Sequence, residues 1–406
     1  MSKVKNSMKY DIIIIGGGIV GLATGLKIKQ KNQKLKVAIL EKEEEVAKHQ
    51  TGNNSGVIHS GLYYKPGSLK AINCINGYHE LIRFCDEENI PYELTGKVVV
   101  ATKPEQIPIL NGLYDRALQN GLEGTKKITL DELKEYEPYC AGVAAFHVPQ
   151  TGIVDYKVVA QHYAKKFESL GGEIFLNKTV KGIKTLNGVS YIRTQHQEFA
   201  TQLVVNCAGL YSDKIAQMTQ EEPIDVRIIP FRGEYYKIKK EREYLVKNLI
   251  YPVPDPNFPF LGVHFTRMMK GGVEAGPNAV LAFKREGYKR SQVNLAELSE
   301  TLAWPGFQKV ASKYWKTGMG ELFRSFSKKA FTEALQELIP DIKESDLVDG
   351  GAGVRAQACD KTGGLLDDFC IRENENAVNV LNAPSPAATS SLAIGETVSD
   401  LVLKRF

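Results

Sequence analysis

The sequence predicts a mixed α/β (α+β) fold, in which a Rossmann-type nucleotide-binding domain is interleaved with a second (substrate) domain whose strands are not those of a central parallel sheet. Three observations predict it. The chain opens on a strand, a G-x-G-x-x-G turn, a helix, a second strand and an acid. Its 406 residues are too many for one compact core. Strands punctuated by proline around Pro252, Pro254, Pro256 and Pro259 suit sheet edges and turns rather than a central parallel sheet. No internal repeat or low-complexity linker separates the parts. The nucleotide-binding share is therefore assigned to residues 8–90, 150–220 and 345–406, and the substrate domain to 91–149 and 221–344.

The elements follow in order. Asp11-Ile12-Ile13-Ile14-Ile15 is an unbroken β-branched run stopped by glycine, the pattern of a buried strand. Gly16 permits the tight turn, Gly18 lets backbone approach a pyrophosphate, and Gly21 lets the helix from Leu22 to about Lys31 pack on the strand. An anion there meets unpaired N–H groups and the positive end of the helix dipole. Residues 36–40 form the second strand. Glu41 then stands where it can accept hydrogen bonds from a ribose, and its charge disfavours a 2′-phosphate, so the ligand is FAD or NAD rather than NADP.

Residues 48–65 fit neither a helix nor a strand period, and loops of this length in compact domains are usually functional. Helices are predicted at about 68–88, 104–120, from Thr129, at 155–170 and from Ser212, with strands at 92–102, 144–149, 173–176 and 180–185. The run Leu203-Val204-Val205-Asn206-Cys207-Ala208-Gly209 is a buried strand ending in a small-residue turn, a second segment suited to touching a dinucleotide. Strands at 228–237 and 250–266 precede helices at 294–302, 305–315 and 331–338. Gly350–Gly353 and Thr362–Gly364 read as loops. Residues 377–382 form a buried strand, 383–390 a turn and 391–403 a final helix.

Composition excludes several classes. Lys plus Arg is 52 against Asp plus Glu 47, and a net charge of +5 is too mild to suggest nucleic-acid binding. No apolar run reaches the roughly 18 residues of a membrane span. The short polar N-terminus, residues 1–7, resembles no export signal, which points to a cytoplasmic protein, with peripheral association on the inner membrane as a further option. Six cysteines scattered without C-x-x-C support neither dithiol chemistry nor a zinc site, and no metal is expected.

Residues 48–64, KHQTGNNSGVIHSGLYY, closely resemble the corresponding stretch of the L-2-hydroxyglutarate dehydrogenases, members of the D-amino-acid-oxidase-like flavoproteins. Glu137–Cys140, Thr151–Tyr156, Val205–Gly209, Gly353–Gln357 and Ala383–Thr389 are similar to the same family, so the resemblance spans nearly the whole chain. It implies FAD, an antiparallel second domain over the flavin ring, and oxidation of L-2-hydroxyglutarate to 2-oxoglutarate. Cofactor contacts are expected from Gly16, Gly18, Gly21, Glu41 and Lys42. The loop would add Thr51, Asn54, Ser55 and Gly56, and later segments Val180, Ala208, Gly209, Gly353, Thr389 and Ser390. Related oxidases of an amino acid or of glycerol 3-phosphate, or a flavin-binding protein without turnover, are the alternatives.

The residues set the chemistry. A single fingerprint makes the substrate the electron donor, because Gly351-Ala352-Gly353 imitates a second one without a following helix. Oxidising a 2-hydroxy acid needs a base for the hydroxyl proton and cations for carboxylates. His59 in the flavin-side loop leads as base, or else only hydrogen-bonds the cofactor or the loop. His264 follows, with a satisfied core histidine as the plain reading. Arg355, Arg232 and Arg267 are the carboxylate candidates, and Tyr64 could donate to the substrate or simply wall the pocket. The helix from Ser391 could aim its N-terminus at the negative charge of reduced flavin. Residues 284–329 carry ten Lys or Arg against four Glu, with both tryptophans. Either they form a solvated face with the aromatics in the core, or they dock on an anionic membrane near a quinone acceptor. The acceptor is oxygen or membrane quinone.

Overall fold

The computed structural model describes residues 8–255 and 261–406. The readings placed on residues 1–7 and on Pro256 and Pro259 lie outside the described residues. Two large sheets dominate. The first has a parallel centre ordered Glu173–Phe175, Val37–Leu40 (β2), Met8–Ile15 (β1), Glu198–Asn206 and Ala377–Asn382. The hairpin Gly182–Leu186/Val189–Arg193 and the strand Cys370–Asn374 add antiparallel edges. Both faces of β1 are covered, which is why it reads as continuous isoleucine: Ile12 and Ile14 pack in one core cluster, Ile13 and Ile15 in another. The helix Ile19–Lys31 (α1) lies between the helices Tyr156–Ser169 and Ser391–Leu403. Gly21 has the packing role its position predicts, since a Cβ there would lie 2.1 Å from the Gly16 carbonyl oxygen.

The second sheet is antiparallel except for one parallel pairing, Leu249–Pro252 with Lys97–Ala101. Its order runs Val280–Leu281, Val226–Ile238, Val273–Gly276, His264–Arg267, Leu249–Pro252, Lys97–Ala101, Ala144–Val148 and Lys126–Ile128, with Leu347–Asp360 alongside Val226–Ile238. Gly350–Gly353 is therefore not a loop. It lies within the strand Leu347–Asp360, because pairing along the whole of Val226–Ile238 overrides glycine's weak strand preference. The glycines remain useful: Gly351 takes φ +88 beside the register shift at Tyr235/Tyr236. Residues 345–406 thus divide between the sheets, Leu347–Asp360 in the second and Cys370–Asn382 in the first.

Helix ends follow local chemistry. Asp155 caps the helix Tyr156–Ser169, and Thr129 with Glu132 forms a capping box at Leu130–Tyr136. The helix Pro305–Phe326 outruns the expected 305–315 and carries non-helical dihedrals at Tyr314.

Candidate active site

The carboxyl ends of β1, β2, Glu198–Asn206 and Ala377–Asn382 open together onto a cavity of about 1270 Å³ that continues beneath the second sheet. Ligands of open α/β sheets bind at such strand ends. One end of this cavity is built from backbone. Gly16 has φ +113, and a Cβ there would lie 2.4 Å from the Cys207 carbonyl oxygen. The cap position of α1 is Gly18, with no side chain to close the helix end, and Thr51 Oγ1 instead accepts from Ile19 N–H at 3.0 Å. Glu41 accepts from Gly17 N–H at 2.7 Å. Gly353 brings its strand against the loop, where a Cβ would meet the Asn53 carbonyl oxygen at 2.5 Å.

Gly16, Gly18, Glu41, Lys42, Thr51, Asn54, Ser55, Val180, Ala208, Gly209 and Gly353 all line this cavity. Asn54 also staples its own loop, donating to the Gln50 and Thr51 carbonyls and accepting from Gly56 N–H. Four expected contacts do not line the cavity. Gly21 is taken up by packing against the Gly16 carbonyl. Gly56 packs on the Val154 carbonyl, at φ +67, instead of facing the cavity. Thr389 is buried, sharing its hydroxyl with Tyr156 at 2.7 Å and taking His59 N–H at 3.1 Å. Ser390 is fully buried beneath Gly77, and the turn 383–388 before it supplies the lining.

Glu43, His49 and Glu286 bring ligand atoms within 4.8 Å of one another, as a metal site would. The Lys42 ammonium already fills that role, at 2.7 Å from Glu286 and 2.9 Å from His49 Nε2 and also paired with Glu43.

The other end is built from side chains. His59, His264, Arg355, Tyr63, Tyr64 and Tyr251 all line it. His264 lies against the Tyr251 ring, centroids 4.0 Å apart, and its Nδ1 is 2.9 Å from the Gly262 carbonyl oxygen. A carbonyl can only accept, so Nδ1 carries the proton and Nε2 keeps its lone pair. Burial pushes the His264 pKa down to about 3, with the charges of Arg355 and Lys97 adding to the effect. His59 falls to about 3 for the same reasons, burial first, then Lys97, His264, Arg355 and Lys70. Both imidazoles are therefore neutral proton acceptors inside a positive field.

Arg232 and Arg267 do not join this group. Side chains alternate along a strand. On Val226–Ile238 it is Gly233 and Tyr235 that line the cavity, which turns Arg232 and Glu234 to the opposite face. There Glu234 accepts from Arg232 Nε at 3.1 Å, Arg290 Nε at 2.8 Å and Ser325 Oγ at 2.6 Å. Arg267, three residues beyond His264 on one strand, points away likewise and pairs with Glu93.

Lys97 escaped the sequence reading. It is 2% exposed, and its ammonium sits 4.7 Å from the ring centroids of both Tyr63 and Tyr251. Burial lowers its pKa to about 7. The available signal was a lysine heading an otherwise apolar strand, which reads equally well as the strand's solvent-facing end.

A family match now decides where the chain belongs. Residues 11–401 match the family FAD dependent oxidoreductase. An L-2-hydroxyglutarate dehydrogenase of Indibacter alkaliphilus is 79% identical over 98% of this chain and 100% of its own length. This chain belongs to the L-2-hydroxyglutarate dehydrogenases of the FAD dependent oxidoreductase family. The mitochondrial L-2-hydroxyglutarate dehydrogenase of Homo sapiens is 45% identical over 100% of this chain and 91% of its own length. Among solved structures, a dithionite-reduced L-alpha-glycerophosphate oxidase from Mycoplasma pneumoniae with FAD bound has a TM-score of 0.78 at 22% identity, covering 98% of this chain and 95% of that one. That likeness is one of fold. For this family the backbone-built end is where FAD fits: the capless helix end, the crowded glycines and Glu41 leave room for a pyrophosphate and a ribose where any larger residue would intrude.

Proposed function

We propose that this protein oxidises L-2-hydroxyglutarate to 2-oxoglutarate with FAD as the immediate electron acceptor. The observation that carries the reading is His264, its proton fixed on Nδ1 by Gly262, in the same cavity end as Arg355. When bound, FAD supplies the hydride-accepting N5. The chain supplies the rest. Arg355 binds the carboxylate next to the hydroxyl through its planar fork. His264 Nε2 takes the hydroxyl proton as the hydride leaves the α-carbon. His59 borders the reacting carbon from the flavin-side loop. Its backbone is held by Thr389, and Cys74 Sγ donates to its carbonyl at 3.4 Å. In the protein alone, burial first and the surrounding cations second hold both histidines neutral. A dianionic substrate offsets those cations, so the imidazoles become stronger bases only once it has bound.

An anaerobic absorbance titration tests the reading. The flavin band bleaches with L-2-hydroxyglutarate and not with its D-enantiomer. A yellow protein that stays yellow with the L-acid would remove the substrate and turn attention to amino acids or glycerol 3-phosphate.

The electrons leave, in this reading, to a membrane quinone. Among the described residues no helix is long and apolar enough to cross a membrane. The helix Pro305–Phe326 nevertheless exposes Trp315 (60%), Met319 (59%), Phe323 (64%) and Phe326 (69%). Beyond Tyr314 these four share one helical face. Trp304 and Phe307 of the same basic segment are in the core, which leaves the exposed four as the residues available for docking. Lysines 309, 313 and 316 flank the stripe, a combination suited to an anionic interface. Co-sedimentation with anionic vesicles at low salt is expected for the wild type and lost in Trp315→Ser/Phe323→Ser. Equal sedimentation of the two would end this part of the proposal.

A further inference from the structure

Resting on the substrate proposed above, we infer that Lys97 anchors the second, distal carboxylate of the substrate and thereby selects dicarboxylates over monocarboxylates. The argument begins with a contrast between two buried lysines. Lys29 is also 2% exposed, but its ammonium donates to the carbonyls of Gln33 (2.7 Å) and Leu35 (3.0 Å) and closes a helix end. Lys97 has neither a hydrogen-bond acceptor nor a carboxylate within ion-pairing distance among the described residues, only the faces of Tyr63 and Tyr251. A buried charge without a counter-ion is costly, and tyrosine faces offset only part of that cost. Both tyrosines line the cavity; Lys97, which does not, rests its ammonium on their rings, and its charge is felt by both cavity histidines. A bound anion would complete the site.

The sheet order says which anion. Counting strands from His264–Arg267, Arg355 lies on one side, beyond Val273–Gly276 and Val226–Ile238. Lys97 lies on the other side, beyond the Tyr251 strand Leu249–Pro252. Lys97 and Arg355 are thus rooted on opposite flanks of the base, and the charges of both reach both histidines. Arg355 shares its strand with Gly353, which abuts the flavin-side loop at Asn53. Arg355 is thus the cation for the carboxylate beside the reacting carbon, and Lys97 the cation for the far one. With Lys97 unpaired, a substrate ending in a methyl group leaves the buried charge uncompensated, which is how a polar site rejects an analogue lacking its partner group.

The test compares L-2-hydroxyglutarate with L-2-hydroxypentanoate, in which a methyl replaces the distal carboxylate, in the FAD-loaded wild type, Lys97→Met and Lys97→Arg. The wild type is expected to prefer the dicarboxylate in kcat/KM by at least about 10²-fold. Lys97→Met brings that ratio to within about tenfold, and Lys97→Arg restores most of it. A Lys97→Met enzyme that slows both substrates by the same factor, or keeps the ratio, overturns the inference. A wild type without preference would instead overturn the substrate reading itself.

Should Lys97→Met not accumulate as yellow protein, wild-type binding carries the test. The affinities of glutarate and pentanoate, read from flavin absorbance between pH 6 and 9, diverge only if Lys97 faces the ligand. His59 and His264 are already neutral across that range, Cys74 is pushed up to about 12 by burial, and Tyr63 and Tyr251 lie higher than usual. The advantage of glutarate is expected to shrink by roughly tenfold per pH unit above pH 7 as the ammonium loses its proton. A constant ratio overturns the inference.

Discussion

The two ends of the cavity are made of different materials. The cofactor end is backbone: glycines, a helix N-terminus and one carboxylate, announced by a fingerprint that is local in sequence. The substrate end is side chain: His59 on a loop and His264 and Arg355 on strands far apart in sequence, with Lys97 against two of the lining tyrosines. Backbone sites tolerate no added atom but hold little charge. Side-chain sites tolerate changes of shape but depend on each charge. Substitutions should therefore fail in different ways at the two ends.

The largest effect is expected at Gly16. Gly16→Ala places a methyl against the Cys207 carbonyl at a φ of +113 that alanine disfavours, so the purified protein should be colourless. Gly18→Ala sharpens the point. Its Cβ meets only Thr51 Oγ1, at 3.5 Å, so the chain accommodates it, and any loss of flavin absorbance reports close approach by the pyrophosphate. At the other end, Arg355→Met should keep its flavin and lose about 10³-fold in kcat/KM, as expected when one partner of a buried charge pair is removed. His264→Asn should cost about 10²- to 10³-fold in kcat, more than His59→Asn, with flavin binding intact. Equal losses in the two histidine variants would break the assignment of the base.

The two histidines also make a smaller, thermodynamic prediction. Their folded pKa values, about 3, lie below the ordinary 6.5. Their contribution to stability is therefore present above pH 6.5 and is lost as the pH falls towards 3. At pH 5 each should cost about 2 kcal/mol, measurable as denaturant midpoints that fall less steeply with acid in His59→Gln/His264→Gln than in the wild type. The smallest kinetic effects belong to Arg232→Met and Arg267→Met, which leave the cavity lining intact. Each should change kcat/KM by less than about twofold, while Arg232→Met lowers the melting temperature by stripping a buried partner from Glu234.

The same division explains what could be read from the sequence. The strand, turn, helix, strand and acid at residues 8–41 are local, and glycine's conformational freedom announces itself along the chain. The final strand and helix, residues 377–382 and 391–403, were legible for the same reason. The substrate end was legible only as residue types. Arg232, Arg267 and Arg355 look alike until register decides which face of the sheet each occupies, and register is set by partners as distant as Leu347–Asp360. Gly350–Gly353 misled because its strand character comes from that pairing rather than from its own preferences. Lys97 was hidden because one charge at the head of an apolar strand is the normal sign of a surface.

The order of the first sheet has a consequence for how the protein is made. β1, which carries the glycine turn, pairs with Glu198–Asn206, and that strand pairs in turn with Ala377–Asn382. A chain still being synthesised can form the turn early, yet it lacks one wall of the cofactor cleft until residues 377–382 have left the ribosome. Flavin capture therefore waits for that strand, and a nascent chain that pauses before it holds its fingerprint exposed with nothing to close over it.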